Sequence, residues 1–345
     1  MKKGENVKIA NIFSDGVVFQ QNMPIYVFGE GKGTFSADFL GEHRETEADG
    51  KFCVSFSAHN YGGPYEMTCF LNGEKKIISD IMIGEVIFVA GQSNAELCIA
   101  DTSDRNTHFD GDPLVRFFAP TRPSVNDRLE PVPLESEYNE KWTSLTGENA
   151  RDWSAISLHT ALGFRRKKGV CVGVLTCFKG AVVIQAFLSE EANKKFVIDK
   201  DKLFVDHFIP EFIWNKPAYI YHYMLEKIVP FSVNSVVWYQ GESNRSIYEG
   251  EIYDEMLKML IKEFRTLLKN EKLPFVVIEI NYHPVNTGDD GVLAIQQAQA
   301  RAVMQTDNTR LVIIKDLGEY ENIHPENKRE VSKRVLGALN ELNVL

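Results

Sequence analysis

The sequence predicts an α/β protein in which a doubly wound parallel sheet follows a small antiparallel β-sandwich. Two observations support this fold class. From about Ile83 onward, five short apolar runs rich in Val and Ile alternate with amphipathic stretches. Before that point, turn-forming residues recur at short spacing and no long helical period interrupts them. We therefore predict two domains, which are residues 1–82 and residues 83–345.

The N-terminal domain is predicted from its turns. Residues 29–33 and 60–64 are rich in Gly, and Asn72-Gly73 is a strong hairpin signal. Short alternating runs such as residues 34–39 lie between the turns. Short strands with a turn about every 8–12 residues are typical of antiparallel sandwiches.

The larger domain is predicted from runs that are apolar on successive positions, as expected for parallel strands buried on both faces. The five runs are residues 86–90, 170–176, 236–239, 275–280 and 311–314. Helices are predicted at residues 153–168, 218–228, 253–269, 292–304 and 325–342. The connections 100–149 and 188–216 lack clear periodicity and are long enough to shape a substrate cleft.

Composition narrows the choice of partners. The net charge of −10 argues against nucleic acid, because binding to nucleic acid needs clustered Lys and Arg. No run reaches the roughly 18 apolar residues of a membrane span, and no apolar signal segment follows the basic start. Of the five cysteines, Cys171 and Cys177 have the wrong spacing for a redox or zinc pair. We therefore expect a cytoplasmic protein whose cysteines are reduced core residues.

Polar residues follow each of the five predicted strands. Ligands bind beyond the carboxyl ends of the strands in an open parallel sheet, so these residues should share one edge. In strand order they are Gln92 and Ser93, then Gly180, then residues 240–244, then His283, and last Asp316, Glu319, Glu321 and His324. Chance explains one such placement more easily than five. The sequence therefore predicts an acyl-transfer site at this edge.

Ester cleavage needs a hydroxyl nucleophile and a base that takes its proton. Ser93 lies where a strand turns into a possible helix, which would present its Oγ at the sheet edge. The alternative is a helix cap, a position that Ser also favours. His324 is the predicted base because imidazole exchanges a proton near neutral pH. His283 also follows a strand and is the alternative base or a substrate contact.

A tetrahedral intermediate needs hydrogen-bond donors aimed at its oxyanion. We predict that the donors come from Ser93, Gly180, Gln240 and Asn244. Gly180 can bring a backbone N–H close to a ligand, and the two side-chain amides can donate as well. Substrate binding is assigned to Gln92, Glu242 and His283. Glu242 also suits an ion pair that organises its loop.

Three ordered motifs carry a family resemblance. They are residues 84–94, which end in Gly91-Gln92-Ser93-Asn94, residues 237–244 and residues 323–328. These motifs resemble those of the sialate O-acetylesterase family of SGNH hydrolases, which includes acetylxylan-esterase-like carbohydrate esterases. Residues 13–21 and 62–66 are similar to the N-terminal β domain of that family, so the resemblance covers nearly the whole chain. It implies a flavodoxin-like, three-layer SGNH-hydrolase domain with a five-stranded parallel sheet and with neither a metal nor an organic cofactor.

The resemblance also implies that Ser93 is the nucleophile, His324 the base and Gly180 an oxyanion donor. The family's acid is usually an Asp three residues before the His, and this chain has Glu321 there. We predict Glu321 as the acid, since Glu can also orient an imidazole. The alternatives are Asp316, Glu319 or a backbone carbonyl. Further departures from the family pattern, expected to alter the pocket wall, are Ala95, Lys179 and Phe187.

The sequence thus predicts a serine esterase that removes acetyl groups from a small carbohydrate, with O-acetylated sialic acid ahead of acetylated xylo-oligosaccharides. An acetylxylan esterase, or an esterase for other acetylated oligosaccharides, is the alternative enzyme. The non-enzymatic alternative is a carbohydrate-binding protein with an inactive hydrolase domain, and the presence of both Ser93 and His324 argues against it. The sugar, the position of its acetyl group and the oligomeric state are left open.

Overall fold

A computed structural model describes residues 6–136, 138–204, 209–281, 291–318 and 322–345. The strands are β1 (Lys8–Ile9), β2 (Val18–Gln20), β3 (Ile25–Phe39), β4 (Glu42–Phe56), β5 (Gly62–Leu71), β6 (Glu74–Gly91), β7 (Asp112–Phe118), β8 (Arg122–Val125), β9 (Pro131–Leu134), β10 (Thr143–Leu145), β11 (Val172–Phe178), β12 (Ser235–Tyr239), β13 (Phe275–Ile278) and β14 (Thr309–Val312). The helices are α1 (Ser93–Glu96), α2 (Ala155–Lys168), α3 (Glu190–Asn193), α4 (Tyr219–Tyr223), α5 (Ile247–Leu267), α6 (Gly291–Met304) and α7 (Lys328–Glu341).

A parallel sheet with the order β7-β11-β6-β12-β13-β14 forms the centre of the molecule. All five predicted strands are present. Numbered along the chain, they lie side by side across the sheet in the order 2-1-3-4-5, which is the order of flavodoxin-like sheets. The sheet is larger than the predicted five strands, because β7 extends it and β10 pairs antiparallel with β7. Both extra strands lie in the connection 100–149, which lacks clear periodicity. β7 contains Pro113 and Arg116, so it lacks a continuous apolar run.

Helices cover both faces of this sheet because its side chains alternate between the two sides. Ile87 and Val89 of β6 belong to a core that also contains the apolar faces of α2 and α7. Phe88, which points to the other side, stacks on Phe264 of α5 with 5.7 Å between ring centroids. The helices predicted at 153–168, 253–269, 292–304 and 325–342 correspond to α2, α5, α6 and α7, whereas the segment 218–228 holds the short α4 and a 3₁₀ turn.

The N-terminal strands form one hydrogen-bonded sheet, so the predicted sandwich is not confirmed. β3 pairs antiparallel with β1, β4 and β5, and β5 pairs with the first part of β6. Residues 74–83 of β6 pair with β5, and residues 85–91 pair with β11 and β12. A single strand therefore joins the two sheets, and its partners change next to the predicted boundary at residue 82.

All five cysteines are free thiols, and they do not all lie in the core. Cys69, Cys171 and Cys177 are buried, but Cys53 is exposed because it occupies an outward-facing position of β4. The prediction of a core position is therefore wrong for Cys53. In the part of the chain that the structure describes, no helix is both long enough and apolar enough to cross a membrane.

Arg116 links the two sheets at their junction, and its side chain is almost fully buried. Its Nη1 donates to the backbone oxygens of Gly16 and Asp80 at 2.8 and 2.6 Å, and its Nη2 donates to Asp80 Oδ1 at 2.9 Å.

We expect Arg116→Met to lower the free energy of unfolding by about 2 kcal/mol or more, since it leaves these acceptors without donors. Urea unfolding would measure the loss. The control is Arg310→Met, which breaks an exposed pair with Glu341 and should cost less than about 1 kcal/mol. Equal losses for the two variants would contradict the role given to Arg116.

Candidate active site

The ends of three neighbouring strands lie at the same level of the sheet. Gly91 at the end of β6 is in register with Phe178 of β11 on one side and with Tyr239 of β12 on the other. The segments that follow these strands therefore meet at one edge. They contain most of the predicted site residues.

Ser93 and His324 come together at this edge, with 2.8 Å between Ser93 Oγ and His324 Nε2. Ser93 is the first residue of α1, directly beyond β6, and His324 lies on the loop before α7. The turn between β6 and α1 requires glycine at position 91. Gly91 has φ +147°, and a Cβ there would lie 2.0 Å from the backbone oxygen of Tyr239.

Gly180 lies beside Ser93. A Cβ built on Gly180 would be 3.9 Å from Ser93 Cβ. The Gly180 N–H donates to Glu96 Oε2 at 2.5 Å, and the other oxygen of that carboxylate accepts from Arg122. The preceding residue, Lys179, places its ammonium 4.1 Å from the ring centroid of Trp214, and burial lowers its pKa.

Gln240 and Asn244 are completely buried and have their amide groups engaged with other protein groups. Gln240 Nε2 donates to Asn244 Oδ1 at 2.8 Å, to Val182 O at 3.0 Å and to Gln92 Oε1 at 3.2 Å. Asn244 Nδ2 donates to Gln185 Oε1 and to Glu249 Oε1, both at 2.9 Å. Both amides therefore lie in a buried group of side chains beside Ser93, which we call the wall, and their hydrogens already have acceptors there.

Gln92 also contributes to this wall. Its Oε1 accepts from the backbone N–H groups of Gly241 and Ser243 at 3.2 Å each, in addition to the Gln240 amide. The residue is buried, and the contacts connect the 240–244 loop with the turn that contains Ser93. These contacts give Gln92 a positioning function beside its predicted contact with substrate.

A second buried network connects the turn that contains Ser93 with the loop that contains His324. Asn94 Nδ2 donates to Glu242 Oε1 at 2.5 Å and to the backbone oxygen of Ile323 at 3.0 Å. Asn94 Oδ1 accepts from the ammonium of Lys328, which also lies 5.1 Å from the ring centroid of Tyr239. Burial raises the pKa of Glu242, while the hydrogen bond from Asn94 and the charge of Lys328 act in the opposite direction.

The predicted triad acids fall in two groups. Glu319 and Glu321, like His283, lie outside the described residues. Asp316 is described, and its two oxygens accept from Arg334 at 2.6 and 2.7 Å. That guanidinium lowers the pKa of Asp316 to about 2.

Sequence reasoning missed four residues that the structure brings to the site. Asn94 and Lys328 lie inside the recognised motifs, and Glu96 lies three positions after Ser93, so the sequence contained a signal for these three. Arg122 comes from the connection without periodicity, where no signal marked it. Among the residues that the structure describes, no group of three or more His, Cys, Asp or Glu side chains could hold a metal ion.

The described residues thus form a mixed sheet with helices on both of its faces and with polar groups at one edge. Residues 158–338 match the sequence family described as carbohydrate esterase, sialic acid-specific acetylesterase. The match covers about half of the chain, and the chain belongs to this family.

Individual relatives agree with this assignment. The chain is 22% identical over 320 residues to human sialate O-acetylesterase and 22% identical over 308 residues to the same enzyme of Pongo abelii. Each comparison covers 80% of this chain, which spans 58% of the length of either relative. The crystal structure of a carbohydrate acetylesterase from Xanthomonas citri superposes with a TM-score of 0.82 at 24% identity, over 97% of this chain and 75% of that one. This last likeness shows the shared fold.

The raised pKa of Glu242 predicts a pH dependence of stability. Because the folded state binds this proton more tightly than the unfolded chain, the stability contributed by Glu242 falls as pH rises above its ordinary pKa of 4.5. Glu242→Gln removes this loss, so the free energy of unfolding of the variant minus that of the wild type should increase with pH. Urea unfolding between about pH 4 and about pH 8 would measure the difference. A difference that stayed constant or fell with pH would contradict the expectation.

Proposed function

We propose that the protein is a carbohydrate O-acetylesterase that hydrolyses acetyl esters through a Ser93-linked acyl-enzyme. The observation that carries this proposal is the 2.8 Å contact between Ser93 Oγ and His324 Nε2 at the carboxyl edge of the sheet. A hydroxyl in contact with an imidazole is the minimum arrangement for nucleophilic acyl transfer. The same contact argues against an inactive carbohydrate-binding protein, which has no need of it.

In the first half of the proposed reaction, Ser93 Oγ attacks the acetyl carbonyl carbon while His324 Nε2 takes the hydroxyl proton. Nε2 can accept this proton only when the neutral imidazole carries its own hydrogen on Nδ1. The tetrahedral intermediate then collapses, and the sugar oxygen leaves with the proton returned from His324. The acetyl group remains on Ser93.

In the second half, water attacks the acetyl-enzyme with His324 again acting as the base. His324 returns the proton taken from water to Ser93 Oγ as the second tetrahedral intermediate collapses. The product leaves as acetic acid, which loses its remaining proton to the solvent.

We propose the backbone N–H groups of Ser93 and Gly180 as the oxyanion donors. Ser93 occupies the first position of α1, where N–H groups lack partners within the helix. Gly180 is adjacent to the nucleophile. Gln240 and Asn244, predicted from the sequence as further donors, are proposed instead to position the surrounding loop, since their amide hydrogens have buried acceptors.

For the substrate we propose a small acetylated sugar, with O-acetylated sialic acid ahead of acetylated xylo-oligosaccharides. Support comes from membership of the sialic acid-specific acetylesterase family and from the two mammalian relatives. Acetate release measured across O-acetylated sialic acid, acetylated xylo-oligosaccharides and acetylated hexosamines tests this choice. A higher kcat/KM for an acetylated xylo-oligosaccharide than for O-acetylated sialic acid would contradict this choice.

Ser93→Ala should abolish turnover without unfolding the protein, because it removes only a hydroxyl from a half-buried turn. We expect kcat to fall by about 10³-fold or more, as for other nucleophiles of this type. Acetate release from an aryl acetate and from the sugar substrates would measure the loss, with the melting temperature as the control for folding. A variant that kept a tenth of the activity at an unchanged melting temperature would exclude Ser93 as the nucleophile.

Glu321→Gln tests the proposed acid, whose carboxylate would fix the His324 tautomer and stabilise the imidazolium. We expect kcat to fall by up to about 10⁴-fold at a pH above the pKa of histidine. Asp316→Asn is the matched control and should stay close to wild type, because both Asp316 oxygens are occupied by Arg334. Near-wild-type kcat in Glu321→Gln would transfer the role to Glu319 if Glu319→Gln is impaired, or to a backbone carbonyl if all three variants are active.

A further inference from the structure

The Gly180 N–H, which the proposed mechanism assigns to the acetyl carbonyl oxygen, already has an acceptor in this structure. It donates to Glu96 Oε2 at 2.5 Å. A Cβ on Gly180 would lie 3.4 Å from that oxygen and 3.9 Å from Ser93 Cβ. The carboxylate and the nucleophile therefore lie beside the same backbone group.

A carboxylate at this position opposes the reaction in two ways. It competes with the carbonyl oxygen for one hydrogen, and its negative charge repels the charge that develops on the oxyanion. Repulsion between two such charges a few ångströms apart is strong at a partly buried site. The side chain of Glu96 is 20% exposed, so water screens it only in part.

We propose that the Glu96 carboxylate occupies the oxyanion site reversibly. Without substrate it accepts a hydrogen bond from the Gly180 N–H, and it moves onto Arg122 when a substrate carbonyl enters. The inference rests on the proposed acyl-transfer function of Ser93. It assigns to Glu96 a role in specificity, because only an ester that is held firmly by other contacts displaces the carboxylate at low cost.

Arg122 provides the second position for the carboxylate. Its Nη1 already bonds to Glu96 Oε1, so the carboxylate keeps a charged partner when it leaves Gly180. Arg122 opens β8, which pairs with β9 in a hairpin separate from the main sheet. Lys179 adds a second positive charge. Burial lowers the pKa of Lys179, and the charge of Glu96 acts in the opposite direction.

The decisive probe is an arylboronic acid, which mimics the tetrahedral intermediate. Boron forms a bond with Ser93 Oγ, the hydroxyl proton passes to His324, and the tetrahedral adduct carries a negative charge beside Gly180. In Glu96→Gln, the uncharged amide no longer repels this charge. We expect the adduct to bind about 5- to 10-fold more tightly, and kcat/KM for a small aryl acetate to rise by a similar factor.

The matched control is Glu341→Gln, which also removes a carboxylate paired with an arginine, Arg310, but far along the chain at the end of α7. This control should leave both quantities unchanged. If Glu96 instead orients Gly180 productively, Glu96→Gln will lower kcat and weaken the adduct. That result, or an unchanged affinity, would overturn the proposal.

Arg122→Gln provides an independent test that does not need the Glu96 variant to fold. Without Arg122, the carboxylate loses the guanidinium that holds its other oxygen and stays on Gly180, so the adduct should weaken about 5-fold or more. The double variant Glu96→Gln/Arg122→Gln should recover the affinity, since nothing charged then occupies the site. Wild-type affinity in Arg122→Gln, or a double variant as weak as Arg122→Gln alone, would refute the mechanism.

Two results separate this inference from the proposed function. If the wild-type enzyme forms no adduct with the boronic acid, or if Ser93→Ala binds it equally well, the acyl-transfer function itself fails. If the wild type binds the boronic acid and Ser93→Ala does not, while the Glu96 and Arg122 variants match the wild type, only the role of Glu96 fails.

Discussion

The side chain of Asn94 bonds to three partners that lie far from it in the sequence. It donates to Glu242 and to the backbone oxygen of Ile323, and it accepts from Lys328. Ile323 immediately precedes His324, so one amide fixes the histidine loop relative to the nucleophile turn. This connection helps to set the distance between Ser93 and His324, because Asn94 adjoins Ser93 and Ile323 adjoins His324.

Burial of this network carries an energetic cost that its hydrogen bonds offset only in part, because Glu242 Oε2 is buried without a hydrogen-bond partner among the described residues. Lys328 is fully buried and Glu242 nearly so, and removing a charge from water is expensive unless it is paired and hydrogen-bonded. Here Asn94 lies between the two charges and bonds to both, while the ring of Tyr239 faces the ammonium. Such networks are a poor source of stability but an effective source of unique geometry. That property is useful at a site where a shift of about 1 Å can cost much of the rate.

Two groups of residues at the site differ in burial. The Gln92–Gln240–Asn244 wall is buried and satisfied by its own hydrogen bonds, so it holds the strand-end segments in fixed positions. Glu96 and Arg122 are partly exposed. In the proposed mechanism, the charges that move are therefore less buried than the network that supports Ser93 and His324.

The sequence by itself determined the five central strands, the helices between them and the convergence of Ser93, Gly180 and His324 at one edge. It could do so because buried parallel strands have continuous apolar runs and because strand order fixes which ends meet. It did not reveal β7, because the buried Arg116 interrupts the apolar pattern of that strand. It also did not reveal the single N-terminal sheet, since short alternating strands look alike in one sheet or two. Only the tertiary structure decided that the amides of Gln240 and Asn244 face buried acceptors and that Glu96 reaches Gly180. Those outcomes depend on side-chain directions and on contacts between distant segments, which residue type and spacing do not specify.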